Sequence, residues 1–403
     1  MVWIAVIFWG CAALVAYTYA LYPLALACLV KVWARPVIRR PFTGAVSIVL
    51  AAHNEAHRIT ARRDELCGLL TAGGVIGEVV IASDGSTDGT AAAARDGAGP
   101  NVRVLDLTEN VGKAEALSRA VATATGEVVI FADARQRWAS DAISLLLENF
   151  ADPTVGGVSG DLCLESAPGV TAGVGLYWRY EKEIRKLESR LHSTVGATGA
   201  ISAVRRELFP DIPPRTLLDD VYWPMRVVMR GYRVIHDGRA KAFDRLPDKP
   251  RDEFRRKVRT LSGNFQLVAR MPSLLVPWRN PLWVQFLSHK LLRLAAPWLL
   301  ITMLALSAAL GGAVYRIALI AQLAGYAIAL AGLSPRVAAR SRLASVAASF
   351  VVLNAAAWMA FWVWASGGAE ASWKKVVYRP TTRQTNPESP LPSAEVHLAT
   401  PHR

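Results

Sequence analysis

The chain has 403 residues, of which 52% are hydrophobic, and its 46 basic against 32 acidic residues leave a formal charge of +14. That length holds one large domain or two smaller ones, and the apolar fraction exceeds the norm for soluble proteins, which argues against a purely soluble chain. The positive balance suits either nucleic acid or an anionic membrane surface, but no basic stripe interleaved with aromatics and no zinc-ligand spacing supports nucleic acid as a partner.

In chain order, Met1 to Val30 carries no charged residue, long enough for a spanning helix. A secretory signal peptide is the rival reading, but the segment lacks a basic start and a clear small-residue cleavage site. Residues 1–33 are therefore expected to be a transmembrane anchor. Val46 to Leu50 reads as a buried strand, followed by a helix from about Ala56 to Leu70. The alternation then repeats: a strand at Val79 to Ala82, a short helix near Ala91 to Arg95, a strand at Val102 to Leu105, a helix from Lys113 to Thr123 and a strand at Glu127 to Ala132. Strands alternating with helices imply an α/β domain with a mostly parallel sheet covered on both faces. Beyond Asp133 the pattern loosens into helices at Val174 to Leu191 and Val221 to Arg230, with glycine turns at Gly196 and Gly199. Such a second half commonly forms the far wall of a substrate cleft.

Residues 44–266 are thus expected as one soluble domain, and 267–293 as an amphipathic interfacial segment. Two or three transmembrane helices are expected over 294–366, in the apolar runs Leu294 to Ala313, Ile317 to Leu333 and Leu343 to Ser366. The last run closes with Trp358, Trp362 and Trp364, an interfacial aromatic belt. Lys31, Arg35, Arg39 and Arg40, and again Arg336, Arg340 and Arg342, place the soluble domain in the cytoplasm by the positive-inside rule. Four crossings would put the tail outside, yet Lys374, Lys375 and Arg379 favour the inside, so three and four crossings both stay open. The tail, 367–403, is expected to be disordered beyond residue 380 for want of apolar periodicity. Cys11, Cys28, Cys67 and Cys163 form no disulfide framework and no metal spacing, which suits a reducing cytoplasm.

Several strand ends carry chemistry. Asp84 ends an apolar strand where open α/β sheets bind ligands, with Gly85 relaxing the turn and Ser86 or Thr87 free to cap a helix. The Asp84 carboxylate is expected to be left free for a nucleobase or ribose. Asp133 ends a second strand and, with Asp84, could hold a nucleotide and its metal, or merely cap the next helix. Gly112 and Lys113 open a helix where a phosphate could approach, the rival being a solvated lysine. Asp219 and Asp220 precede a helix and can divide labour, one held structurally while the other removes a proton. Arg255, Arg256, Lys257 and Arg259 lie on an expected amphipathic helix and suit pyrophosphate or anionic lipid equally. Trp178, Tyr180, Glu181 and Arg185 could line an acceptor surface, with core packing the safer reading.

Taken in order, the segment Ser47 to Glu55, the Asp84-Gly85-Ser86 turn, Asn110 to Lys113, Asp133, Gly196 to Ala200, and Asp219-Asp220 resemble the membrane-bound family 2 glycosyltransferases over roughly Val46 to Gln266. The resemblance implies a GT-A type domain and sugar transfer from a nucleotide-activated donor with inversion at the anomeric carbon. It implies that Ala52, His53, Asn54 and Glu55 line the nucleotide, that Asp84 and Gly85 contact the base, and that Lys113, Asp133 and Arg135 lie along the donor. Asp133 matches the first acid of the family's Asp-x-Asp motif and so the metal position, for Mg²⁺ or Mn²⁺. Asp220 matches the general base, with Asp219 beside it, and Arg226 and Gly231 keep the family spacing. Gly199, Arg256 and Arg259 fall at the diphosphate and acceptor side.

Two departures stand out. Arg135 replaces the second acid of Asp-x-Asp, so a metal would rest on Asp133, donor phosphates and water, or Arg135 would supply part of its charge. The Gln-x-x-Arg-Trp motif of processive synthases is Arg256-Lys257-Val258-Arg259-Thr260 here, keeping only its arginine. The expected function is exopolysaccharide or envelope glycan synthesis at the inner membrane, with a nucleotide-sugar donor, UDP-linked by preference, and a glycan or lipid-linked acceptor. Export or polymerisation partners would fit such a role. The alternatives are a transferase loading one sugar onto a polyprenyl phosphate, and a non-catalytic sugar-nucleotide-binding scaffold. A transporter is disfavoured because the apolar runs hold no acidic residue.

Overall fold

The structure, a computed structural model, describes residues 2–165, 172–245 and 250–368. The strands are β1 (Val46–Ala52), β2 (Gly77–Asp84), β3 (Val102–Leu107), β4 (Val128–Ala132), β5 (Arg137–Trp138), β6 (Val155–Glu165), β7 (Ile201–Arg205) and β8 (Arg233–Arg245). They form one sheet in the order β3-β2-β1-β4-β7-β6-β8-β5. β1 to β4 pair in parallel, β7 enters antiparallel between β4 and β6, and β8 runs parallel to β6. This is the mixed, mostly parallel α/β sheet of GT-A type expected from the sequence.

The first four strands are apolar because both faces are covered. Val49, Val80, Val129 and Phe131 point to one face, under Leu117, Val121, Trp223 and Met225. Ile48, Leu50, Ile81 and Ile130 point to the other, under Ile59, Leu66, Ile143 and Leu146. The helices expected between these strands appear as Ala56–Ala72, Thr90–Arg95 and Lys113–Thr123. The second half adds helices Ala172–Leu191, Asp219–Met229 and Pro250–Arg270. Helix Asp219–Met229 lies close over β6 because β6 is glycine there: a Cβ on Gly157 would stand 2.7 Å from the Trp223 ring.

Four helices among the described residues are long and apolar enough to cross a membrane: Val2–Trp33, Trp283–Ala309, Ala313–Gly332 and Arg342–Ala365. The helix that was expected to begin near residue 294 starts at Trp283. Val2–Trp33 packs against Ala172–Leu191 and Leu292–Ala309, and Arg342–Ala365 against Pro250–Arg270. At the latter seam Phe265 stacks on Trp364 with centroids 5.7 Å apart. Two of these apolar helices carry single π-helical stretches, Tyr17–Leu21 and Leu287–Leu291, joined by a 2.8 Å hydrogen bond between Tyr17 and Ser288. The expected disorder beyond residue 380, and Lys374, Lys375 and Arg379, lie outside the described residues.

Candidate active site

Parallel pairing aligns the C-terminal ends of β1, β2 and β4, so the loops after Ala52, Asp84 and Ala132 meet at one edge. This edge is where open α/β sheets bind ligands. The loop after β1 is tied to the loop after β2. His53 Nδ1 lies 2.6 Å from the Asp84 carbonyl oxygen, Asn54 N donates to Ser86 Oγ at 3.1 Å, and Asn54 Oδ1 accepts from Thr87 N at 2.8 Å. Asn54 holds a positive φ of 53°, a conformation asparagine tolerates better than most residues. Glu55 N donates to Thr90 Oγ1 at 2.8 Å, and the Glu55 carboxylate pairs with Arg58 at 3.0 Å.

Asp84 differs from expectation in one respect. Its carboxylate is not left free: Oδ1 accepts from Val111 N at 2.7 Å and Oδ2 from Gly112 N at 3.0 Å. A buried carboxylate at a strand end draws in the nearest unpaired amides, here those of the turn before Lys113. The turn is brought close by Gly85 at φ 59°, where a Cβ would stand 2.3 Å from Asn110 N. Asp84 therefore holds the Asn110–Lys113 turn against the β1 and β2 loops.

That turn delivers Lys113 to the cleft. Lys113 Nζ pairs with Asp133 Oδ1 at 2.7 Å. Burial would depress the ammonium, but Asp133, Asp219 and Asp220 outweigh burial and hold it above its ordinary value. Asp133 is fixed from behind by Arg62, which donates to its carbonyl at 3.1 Å and lies over the Trp138 ring at 4.9 Å. Arg135 turns away, forking onto Asp244 at 3.1 and 2.7 Å.

Asp219 and Asp220 occupy the first turn of their helix, and Asp220 O accepts from Ala197 N at 2.7 Å. The Gly196–Ala200 turn is thereby joined to the acidic pair. A Cβ on Gly199 would lie 3.5 Å from Lys113 Nζ and 3.7 Å from Asp220 Oδ2, so the bare glycine leaves this wall open. Lys113, Phe131, Gly199, Asp219, Asp220 and Trp223 line one small pocket. Burial pushes the Asp220 carboxyl up to about 6, with Asp219 adding and Lys113 opposing. Burial raises Asp219 as well, against Lys113. Arg259 reaches the field of this pair: burial lowers its guanidinium, and Asp219 and Asp220 oppose the shift. Arg256 is engaged on its own helix with Glu253 at 3.0 Å. Gly231, at φ 90°, closes the helix that begins with the pair.

The aromatic stretch expected as a possible acceptor surface is partly used in packing. Tyr180 OH donates to Tyr19 O at 2.9 Å, and Trp178 lies beneath Lys257 Nζ at 5.3 Å. Glu181 accepts from His289 and Arg293 of an apolar helix at 2.9 and 2.6 Å. Those partners, with Arg62 and Asp244, escaped the sequence reading. The one available signal was the polar triplet Ser288-His289-Lys290 preceding an apolar run.

A divalent cation on this edge has a restricted set of ligands. Among the described residues no group of three or more His, Cys, Asp or Glu converges as a metal site. Arg135 contributes no oxygen. Asp133 does, and a Mg²⁺-type ion bound through one carboxylate plus substrate phosphates and water fits such a site.

Residues 47–212 match the family model described as glycosyl transferase family 2. The chain is 26% identical over 238 residues to the poly-beta-1,6-N-acetyl-D-glucosamine synthase of Staphylococcus aureus strain COL, covering 56% of each chain. It is 24% identical over 234 residues to the enzyme of that name from Staphylococcus epidermidis, again with 56% of each covered. The chain thus spans about half the length of these curated relatives. Among solved structures it resembles a mannosyltransferase from Pyrobaculum calidifontis in complex with GDP-Man and Mn²⁺, with a TM-score of 0.60, 25% identity and coverage of 86% of this chain and 98% of that one. The fold and the ordered motifs define a GT-A type glycosyltransferase domain. Residues 47–212 are thus similar to the glycosyl transferase family 2 model, and the chain, which carries long apolar helices, is similar to the staphylococcal synthases.

Proposed function

We propose that this protein transfers a sugar from a nucleotide-sugar donor to a glycan or lipid-linked acceptor, with inversion, in the synthesis of an exopolysaccharide or envelope glycan. The observation that carries the reading is the Asp220 carboxyl, pushed up to about 6 beside Lys113 and the open wall at Gly199. A base whose pKa lies just below neutral is mostly ionised at working pH and still accepts a proton readily. Asp220 takes the proton of the acceptor hydroxyl as its oxygen bonds to the anomeric carbon, and the bond from that carbon to the nucleoside diphosphate breaks on the opposite face. Asp219 raises the proton affinity of Asp220, while Lys113, paired with Asp133, opposes the rise in both acids. The β1 and β2 loops form the nucleotide side, with Asp84 shaping the wall through the turn it holds. Arg259, in the field of the acidic pair, faces the developing charge. A bound divalent cation, held by Asp133 and the donor phosphates, would supply electrostatic stabilisation of the leaving diphosphate.

The basic residues Lys31, Arg35, Arg39 and Arg40 support a cytoplasmic catalytic domain held at the membrane by the apolar helices. The mannosyltransferase neighbour holds GDP-Man, so GDP-linked donors belong in the test beside UDP-linked ones. Detergent-purified protein given a panel of UDP- and GDP-sugars with Mg²⁺ or Mn²⁺, plus membrane lipid or a glycan primer, is expected to release nucleotide with one donor. The product should carry the anomeric configuration opposite to the donor's by NMR. Release of no nucleotide with any donor would overturn the transferase reading in favour of a sugar-nucleotide-binding scaffold.

A further inference from the structure

On the side of the cleft facing the apolar helices, positive charge gathers in excess of its counter-charge. Glu181 is shared by His289 Nε2 at 2.9 Å, Arg293 Nη1 at 2.6 Å and Arg185 Nε at 3.4 Å. Glu188, fully buried, accepts from His289 Nδ1 at 2.9 Å and Tyr22 OH at 2.5 Å. Glu253 is divided between Arg256 at 3.0 Å and Lys257 at 3.8 Å. Each carboxylate here already serves two or more donors, those of Glu188 both on Oε1 while its Oε2 is buried without a hydrogen-bond partner. Lys290 makes no ion pair among the described residues, and Arg293 Nε and Nη2 are buried without a hydrogen-bond partner. Lys257 Nζ leans on the rings of Tyr177 and Trp178, at 5.5 and 5.3 Å.

Buried cations without matching anions are costly, and guanidinium and ammonium groups recover that cost best against a phosphate or carboxylate. The cluster also adjoins the catalytic pair. Arg185 Nη1 donates to Thr198 Oγ1 at 3.3 Å, one residue from the Gly199 wall that faces Asp220. Arg185 and Lys290 are among the cations that draw the Asp220 carboxyl back toward its ordinary range.

We propose that Arg185, Lys290 and Arg293, with Lys257 at the rim, seat the phosphate group of a membrane lipid that carries the acceptor. The proposal rests on the transferase reading and specifies its acceptor. A lipid source is favoured because Lys290 and Arg293 belong to the apolar helix Trp283–Ala309, and Arg293 meets Glu181 of helix Ala172–Leu191 there. A glycan without phosphate offers this cluster no counter-charge. The bonds made and broken are those of the transfer already described; the seat fixes the distance of the acceptor hydroxyl from Asp220.

The test uses the full chain in uncharged detergent, with dodecyl phosphate, dodecanol and inorganic phosphate as separate probes and thermal unfolding and ³¹P NMR as readouts. Dodecyl phosphate is expected to raise Tm in a saturable way and to broaden its ³¹P signal, with dodecanol and inorganic phosphate inert. Lys290→Gln, which breaks no ion pair, should weaken dodecyl phosphate at least tenfold and leave nucleotide-sugar binding unchanged; Arg293→Gln should behave alike. Equal effects of inorganic and dodecyl phosphate would overturn the lipid assignment. Unchanged dodecyl phosphate affinity in Lys290→Gln, or no effect of dodecyl phosphate on a protein that binds donor, would overturn the seat. A protein that takes up dodecyl phosphate but turns over no donor would instead count against the transferase reading, so the two failures are distinguishable.

Discussion

At the scale of single residues, the Asp220 carboxyl sets two consequences of opposite sign. Burial, with Asp219 beside it, pushes that carboxyl up to about 6 in the folded chain, against the ordinary carboxylate value, ~3.9, in the unfolded one. Between those values the folded state binds more protons, so stability falls as pH rises through this window, and the loss is complete above it. Asp220→Asn is therefore expected to raise Tm at pH 7.5 and to bring a much smaller change at pH 4. A scan at both values checks it, and a variant no more stable at the higher pH would show that the carboxylate carries no strain. Under the proposed role of Asp220 as base, activity runs the other way, because a base acts only when ionised: kcat/KM should rise with pH through about 6. Lys113→Met removes the cation that opposes Asp219, so the same limb should move to higher pH as overall turnover falls. A pH profile of the variant that keeps the wild-type limb would place Lys113 outside the field of the base.

At the scale of elements, helix Asp219–Met229 depends on glycine beneath it. Gly157→Ala would press a methyl group onto the Trp223 ring, costing roughly 1–3 kcal/mol by overpacking. A drop of a few degrees in Tm with weakened turnover is the expected result, since the helix carries Asp219 and Asp220 at its start. His289→Leu would leave Glu188 fully buried with only Tyr22 to serve it. Removing one of the two hydrogen-bond partners of a buried carboxylate costs on the order of 1–3 kcal/mol. Thermal unfolding in detergent measures it, and Tm within a degree of wild type would mean the carboxylate is hydrated. The first four strands were legible in the sequence because doubly covered parallel strands are plain apolar runs. The strands β5 to β8 were not, since β6 contains the glycines that admit helix Asp219–Met229 and β8 is long and mixed in polarity. The structure brings together Lys113, Asp133 and Asp220, which the order of motifs had singled out. The fork of Arg135 onto Asp244 joins residues more than a hundred positions apart and leaves no local pattern. The occupancy of Asp84 by two amides was missed for a related reason: a motif names the acid and not what reaches it in the folded turn.

At the scale of the whole molecule, the α/β domain and the apolar helices share one continuous polar network. Tyr22 of the first helix, Glu188 and Glu181 of Ala172–Leu191, and His289 and Arg293 of Trp283–Ala309 are linked by hydrogen bonds. Arg185 extends this chain to the Gly196–Ala200 turn. The candidate site is thus tied to the apolar helices through hydrogen bonds, an arrangement that suits the lipid-linked acceptor proposed above. The proposed sugar transfer turns on Asp220 as the base. Its most direct test is to compare Asp220→Asn with the wild-type protein in donor binding and in single-turnover sugar transfer, using the donor that the panel identifies. Donor binding should be retained while the transfer rate falls by about 10²–10⁴-fold, the usual contribution of a general base. Transfer at the wild-type rate in the variant would contradict the assignment.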